Sequence, residues 1–165
     1  MDIRQQPQSE QVNLRMATAA DAPAISALLR ESFAEFRSHY TPAAFAATVL
    51  PASGVLARLN EGPVWVAERE ATIEGTVGAI LSGESATIRG MAVRPSVRHL
   101  GLGRRLLDEA ERFAAEHGAQ MLELYTTAFL LGAIRLYEAA GFTFTGQGVN
   151  PNGTELLRMT KRVRF

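Results

Sequence analysis

The chain contains no cysteine. That removes a disulfide framework, a cysteine-based zinc site and a thiol nucleophile from consideration. Net charge is missing too, because 17 Lys and Arg balance 17 Asp and Glu. Nothing in that balance argues for a nucleic-acid or membrane-surface partner. No apolar run approaches the ~18 residues of a membrane span. The opening MDIRQQPQSEQ lacks the apolar segment of a signal peptide. The expectation is therefore a short disordered tail over residues 1–11, one domain over 12–165 and a cytoplasmic location. A chain of 165 residues suits a single domain with a sizeable core.

What is present is strong periodicity. VNLRMAT (Val12 to Thr18) alternates as a strand, and Thr18 with Asp21 resembles a capping box at the start of a helix. Ile25, Leu28, Leu29, Phe33 and Phe36 share one face of that helix, with the two Phe residues expected in the core. Thr41 and Pro42 read as the cap and first position of a second helix, PASG (Pro51 to Gly54) interrupts it, and a short helix to about Asn60 follows. Pro63 to Glu70, Thr72 to Gly83 and Ala86 to Val93 read as three strands, Met121 to Thr127 as another. A helix over Leu130 to Ala140 stops at Gly141, and a last hairpin crosses NPNG (Asn150 to Gly153). The predicted order is β-α-α-β-β-β-α-β-α-β-β, a mixed and mostly antiparallel α/β sheet flanked by helices on both faces.

The segment from Val97 to Gly118 carries charges that oppose its own helix. Leu106, Leu107, Ala110, Phe113, Ala114 and His117 recur at helical spacing. Acids belong in a first helical turn and bases in the last. Here Arg104 and Arg105 open the helix, and Glu116 lies near its end. Upstream, Gly101 and Gly103 let the backbone turn tightly and come close to a ligand. The first N–H groups of a helix have no acceptor within it. Orphan donors, dipole and arginines together describe an anion site. A dinucleotide fingerprint needs Gly where Leu106 stands, and a phosphate-binding loop of the Walker type needs Lys and Ser or Thr where Arg104 and Arg105 stand. The plain alternative is a strand-to-helix turn with solvated arginines. Gly90, inside an otherwise burial-prone strand, marks either a bulge or close packing. Tyr137 falls on one helical face with Leu130, Ala133 and Ile134, where an ordinary core tyrosine is the bland reading.

Taken together, Arg98-x-x-Gly101-x-Gly103 after MAVRP, followed by AIRLYEAAGF (Ala133 to Phe142), resembles the GNAT superfamily of acyl-CoA-dependent N-acyltransferases. The resemblance spans about Val12 to the end. It implies that acetyl-CoA is the cosubstrate and an amine the acceptor. It also implies that Arg98, His99, Leu100, Gly101, Leu102, Gly103 and Arg104 hold the coenzyme A pyrophosphate, mainly through backbone N–H groups. Met91, Ala92 and Val93 then pair with the pantetheine arm, the Val93 N–H polarises the thioester carbonyl, and Tyr137 protonates the leaving thiolate. No metal is implied, and the expected state is a monomer or homodimer.

The chain departs from many such relatives in two places: Arg89 stands where they have an acid, and Leu130 where they have Asn. The general base is therefore left open among Glu84, Glu123, Tyr125 and a water relay. Phe33, Phe36, His39 and Tyr40 fall where the acceptor site is expected. His39 reads as a surface histidine, and His99 as a local contact in the turn rather than a base. A catalytically silent acyl-CoA sensor is the competing reading from another class.

Overall fold

In β2 (Val64–Arg69) every second side chain serves a different core. The structure, a computed structural model, describes residues 11–147 and 152–165. Val64 and Val66 pack with Ile25, Leu28 and Leu29 on one side of the sheet, and Trp65 and Ala67 pack with Leu106 and Leu107 on the other. A strand with period two and helices on both faces requires this alternation. The remaining strands are β1 (Asn13–Met16), β3 (Thr72–Ser82), β4 (Ser85–Val93), β5 (Met121–Thr126), β6 (Thr143–Gln147) and β7 (Leu157–Arg162). They form one sheet in the order β1-β2-β3-β4-β5-β7-β6. β4 and β5 run parallel, and the other neighbouring pairs are antiparallel.

The predicted fold class stands. Three helices, rather than two and a fragment, separate β1 from β2: α1 (Ala22–Phe33), α2 (Pro42–Thr48) and α3 (Ala52–Glu61). Thr41 caps α2 by accepting from the Ala44 N–H at 3.1 Å. Pro51 keeps Leu50 out of helical geometry and caps α3, which is why the break falls there. α1 does not run on to Phe36. The chain beyond it tightens into a 3-10 segment, Ala34–His39, which takes Phe36 off the stripe, while Phe33, the last residue of α1, packs at the edge of the core. Both are half-buried, so the expectation of a core position is corrected for Phe36, whereas Phe33 still packs against the core.

α4 (Leu102–Glu116) and α5 (Leu131–Ala139) cover the other face. Leu102, Leu106, Leu107, Ala110 and Ala114 form the buried stripe of α4. Each such leucine contributes about 1.5–3 kcal/mol of burial, enough to hold α4 down despite its misplaced charges. Gly118 and Gly141, at φ 74° and 100°, end the two helices as expected. β6 and β7 pair as predicted, but residues 148–151 of their connection and the 1–10 part of the predicted tail lie outside the described residues. Among the described residues no single helix is long and apolar enough to cross a membrane.

Candidate active site

The parallel pairing of β4 with β5 stops early. Ser85, Ala86 and Thr87 pair with Met121, Leu122 and Glu123, and beyond them the strands diverge. β5 continues to Thr126 against β7, while β4 continues to Val93 against β3. One edge of β4 is thus left without a strand partner.

A bulge begins the divergence. Gly78 pairs with Arg89 and Thr76 with Ala92, so β4 holds one residue more than β3 across this interval. Gly90 sits there at φ 61°, a conformation that glycine adopts without strain. The extra residue reverses the phase of the strand. Ala86 and Ile88 face α4, and after the bulge Met91 and Val93 face it, while Ala92 joins the core of α1 and α3. Arg94 gives its N–H to the Glu74 carbonyl of β3 at 2.8 Å. Antiparallel alternation therefore turns the Val93 N–H toward the unpaired edge.

Between the diverging strands lies a cleft of about 640 Å³, bordered by Met91 to Val93, Leu124 to Thr127 and Tyr137. Tyr137 is 8% exposed and packs edge-on against Phe142. Burial, with a smaller effect from nearby Tyr40, pushes its phenol up to about 12. Burial also raises Tyr40, opposed by the nearby hydroxyls of Thr127 and Thr48. Both phenols keep their protons at neutral pH. Tyr40 also meets Phe33, Phe45 and Phe129 edge-on, and His39 stacks on Phe129 at 5.0 Å.

The residues of the predicted phosphate loop fall into different roles. Pro95–Leu100 forms a 3-10 turn, and Gly101, at φ 75°, leads into α4. The N–H groups of Leu102, Gly103 and Arg104 begin α4 and have no acceptor within it. His99 and Leu100 are exposed, whereas the Leu102 and Ala92 side chains are buried in the cores, so these two can offer a ligand only backbone. Gly103 is buried, and a Cβ there would stand 2.7 Å from Leu136 and 3.3 Å from Met91. Its small size serves helix packing directly.

The arginine side chains have partners within the protein. Arg98 donates to the carbonyls of Val93 and Ser32, at 3.2 and 2.9 Å, and pairs with Glu35 at 2.6 Å. It ties the end of α1 to the end of β4. Arg104 reaches Asp108 at 3.1 Å and the Ala139 carbonyl at the end of α5. Arg105 reaches the Val12 carbonyl. Each side chain that opposes the dipole of α4 therefore has a partner within the protein.

The candidate bases also separate. Glu84 lies exposed in the β3–β4 turn, outside the cleft lining. Glu123 accepts from Thr87 at 3.0 Å and from two nitrogens of Arg158. Tyr125 borders the cleft and is 45% exposed. Among the described residues, the cleft lining includes no Asp, Glu or His.

Two residues at the cleft escape the sequence reading. Phe129, from a loop without periodicity, packs behind the lining residues Phe36 and Tyr40. Arg58 projects from α3 into the cleft against Gly90, where any Cβ would overlap its guanidinium. The available signal for Arg58 was a cation one turn beyond buried Val55, in a helix otherwise taken as incidental.

A family model for the acetyltransferase (GNAT) family matches residues 22–142, from the start of α1 through the end of α5. The chain belongs to the GNAT acetyltransferase family. This GNAT chain is 34% identical over 140 residues to the N-acetyltransferase YjgM of Escherichia coli (strain K12), covering 78% of the one and 80% of the other. The PaiA N-acetyltransferase of Thermoplasma acidophilum, solved with coenzyme A, superposes with a TM-score of 0.79 over 92% of this chain and 99% of that one. At 17% identity that likeness speaks for the fold. The ribosomal-protein-alanine N-acetyltransferase of Brucella melitensis gives a TM-score of 0.71 at 27% identity, over 91% of this chain and 99% of that one.

Proposed function

We propose that this GNAT enzyme moves an acetyl group from acetyl-CoA to a primary amine by direct attack of the amine on the thioester. The observation that carries the reading is the unpaired edge of β4 from Ile88 to Val93, which faces a cleft that also holds a buried phenol. An extended pantetheine arm fits that edge as an added strand would. The N–H groups at the start of α4 suit the pyrophosphate, since they combine orphan donors with the positive end of the dipole.

Each step then falls to a named group. The Val93 N–H stabilises the oxyanion that forms as the amine nitrogen bonds to the carbonyl carbon. Collapse breaks the carbon–sulfur bond and expels the thiolate. Tyr137 gives that sulfur its proton, and its raised pKa keeps the proton available throughout the neutral range. With no carboxylate or imidazole among the described lining residues, water carries away the proton of the amine. The product is an amide and coenzyme A.

Release of thiol from acetyl-CoA across a panel of primary amines tests the reading. Amine-dependent release is expected. Tight binding of acetyl-CoA without release by any amine would overturn it in favour of the silent sensor.

A further inference from the structure

Arg58 has no hydrogen-bond or ion-pair partner among the described residues, although it is substantially buried and borders the cleft. Burial, and then the charge of Arg89, make its cationic form harder to hold, and the charge of Glu61 only partly offsets them. Arg89 is half satisfied. One arm meets Glu61 at 2.6 Å, while Nε and Nη2 are buried with no partner. A buried guanidinium without an anion is expensive to keep in a fold. Both residues border the same cleft, and each carries the planar fork of donors that carboxylates favour.

We propose that the acceptor is a free amino acid, whose carboxylate binds Arg58 and Arg89 at the Gly90 bulge and whose amine points toward Val93. This rests on the acetyl-transfer reading and names its acceptor class. Three lines set the chemistry. The phosphates of the coenzyme have their own donors at α4, so the two arginines are left to the other substrate. From Gly90 to Val93 is three residues, roughly 10 Å of strand, a distance shared between two arginine side chains and a small molecule. Phe33, Phe36 and Tyr40 border the same cleft and offer an apolar wall to the side chain of the acceptor. The residual positive charge of the arginines also lowers the pKa of a bound amine. This assists deprotonation in a cleft whose described lining has no base.

The test compares amino acids with their own carboxamides, which keep the amine and side chain and lose only the anion. In the parent enzyme, kcat/KM for the acids should exceed that for the carboxamides by about 10–100-fold, the scale of a charge-assisted hydrogen bond lost from a buried site. Arg58→Gln should erase most of that ratio and leave acetyl-CoA affinity unchanged. Equal kcat/KM for acid and amide in the parent would overturn the proposal whether or not the variant folds. Preference for a peptide amino terminus would overturn it in favour of a protein acceptor, and preference for a phosphate-bearing amine would remove the carboxylate. Calorimetry with N-acetyl amino acids, in the presence of coenzyme A, supplies a readout that needs no turnover. Binding that Arg58→Gln abolishes, without thiol release by any amine, would uphold the anion site and reject the transferase reading. No binding of any N-acetyl amino acid would reject the anion site itself.

Discussion

One pair of arginines opens α4 and another borders the cleft, and the fold treats them differently. Arg104 and Arg105 stand against the dipole of α4, yet both reach acceptors in the protein. Arg58 and Arg89 stand in no conspicuous sequence pattern, yet Arg89 keeps two buried donors without an acceptor and half-buried Arg58 has no acceptor among the described residues. The comparison teaches that charge against a dipole is a weaker sign of a ligand than charge without a counterpart. A surface arginine costs little wherever it lies, because water and carbonyls satisfy it. A buried one is retained only with something to meet.

The largest expected effect isolates the chemistry from both pairs. Tyr137→Phe keeps the ring and its packing against Phe142. Turnover should fall by roughly 10²–10⁴-fold, the range for a positioned acid, with acetyl-CoA affinity unchanged. Because the phenol is held near 12, the kcat profile of the parent should show no descending limb from it between pH 7 and about 10. Equal turnover in the variant, with chemistry limiting, would return Tyr137 to an ordinary core residue.

The next effect is on stability, at the foot of α4. Gly103→Val places methyl groups against Leu136 and Met91. Overpacking of this kind costs about 1–3 kcal/mol, read as a lower denaturant midpoint at constant slope. A variant as stable as the parent but weak for coenzyme A would show that Gly103 serves the ligand instead of the packing.

Replacing Arg104 and Arg105 together with Gln bears on the comparison directly. Since both have protein partners, acetyl-CoA affinity should fall less than about 10-fold at low salt, and the difference should shrink at high salt. A loss near 100-fold would mean that these arginines leave their partners for the phosphates, and the contrast with Arg58 and Arg89 would fail.

The smallest effect comes from an arginine far from the cleft. Arg15 binds Asp21 through two nitrogens, at 2.8 and 2.9 Å, and Glu68 at 2.6 Å. The hydrogen bond from Arg15 holds the Asp21 carboxyl at about 2, against an ordinary 3.8. A depressed carboxyl stabilises the fold above its unfolded pKa, and this contribution disappears as pH falls from about 4 through 2. Urea melts at pH 5 and pH 3 should therefore show a smaller loss of stability for Asp21→Asn than for the parent. Equal losses would discount the pair.

Much of the fold was legible because its signals are local. Alternation marked each strand, and glycine, proline and Thr41 marked the ends of helices. The bulge was half legible: Gly90 announced an irregular strand but not which face its neighbours would take. Phe36 departs from the expected stripe because the ideal helical period does not survive the tightening to 3-10 geometry after Phe33. Arg58 went unread for a different reason. Its meaning lies in the absence of a partner, which depends on α3 packing across Gly90, and no spacing along the chain encodes that.

The unpaired edge of β4 has a consequence for how the protein lives in a cell. A strand that lacks a strand neighbour from Ile88 to Val93 leaves a gap in the middle of the sheet, with backbone groups that only water or a ligand can reach in the cleft. A coenzyme arm in that place would complete the sheet, so occupancy would add to folding stability by mass action, about 2.7 kcal/mol at a concentration one hundred times Kd. The supply of acetyl-CoA would then set the lifetime of the folded enzyme as well as its rate.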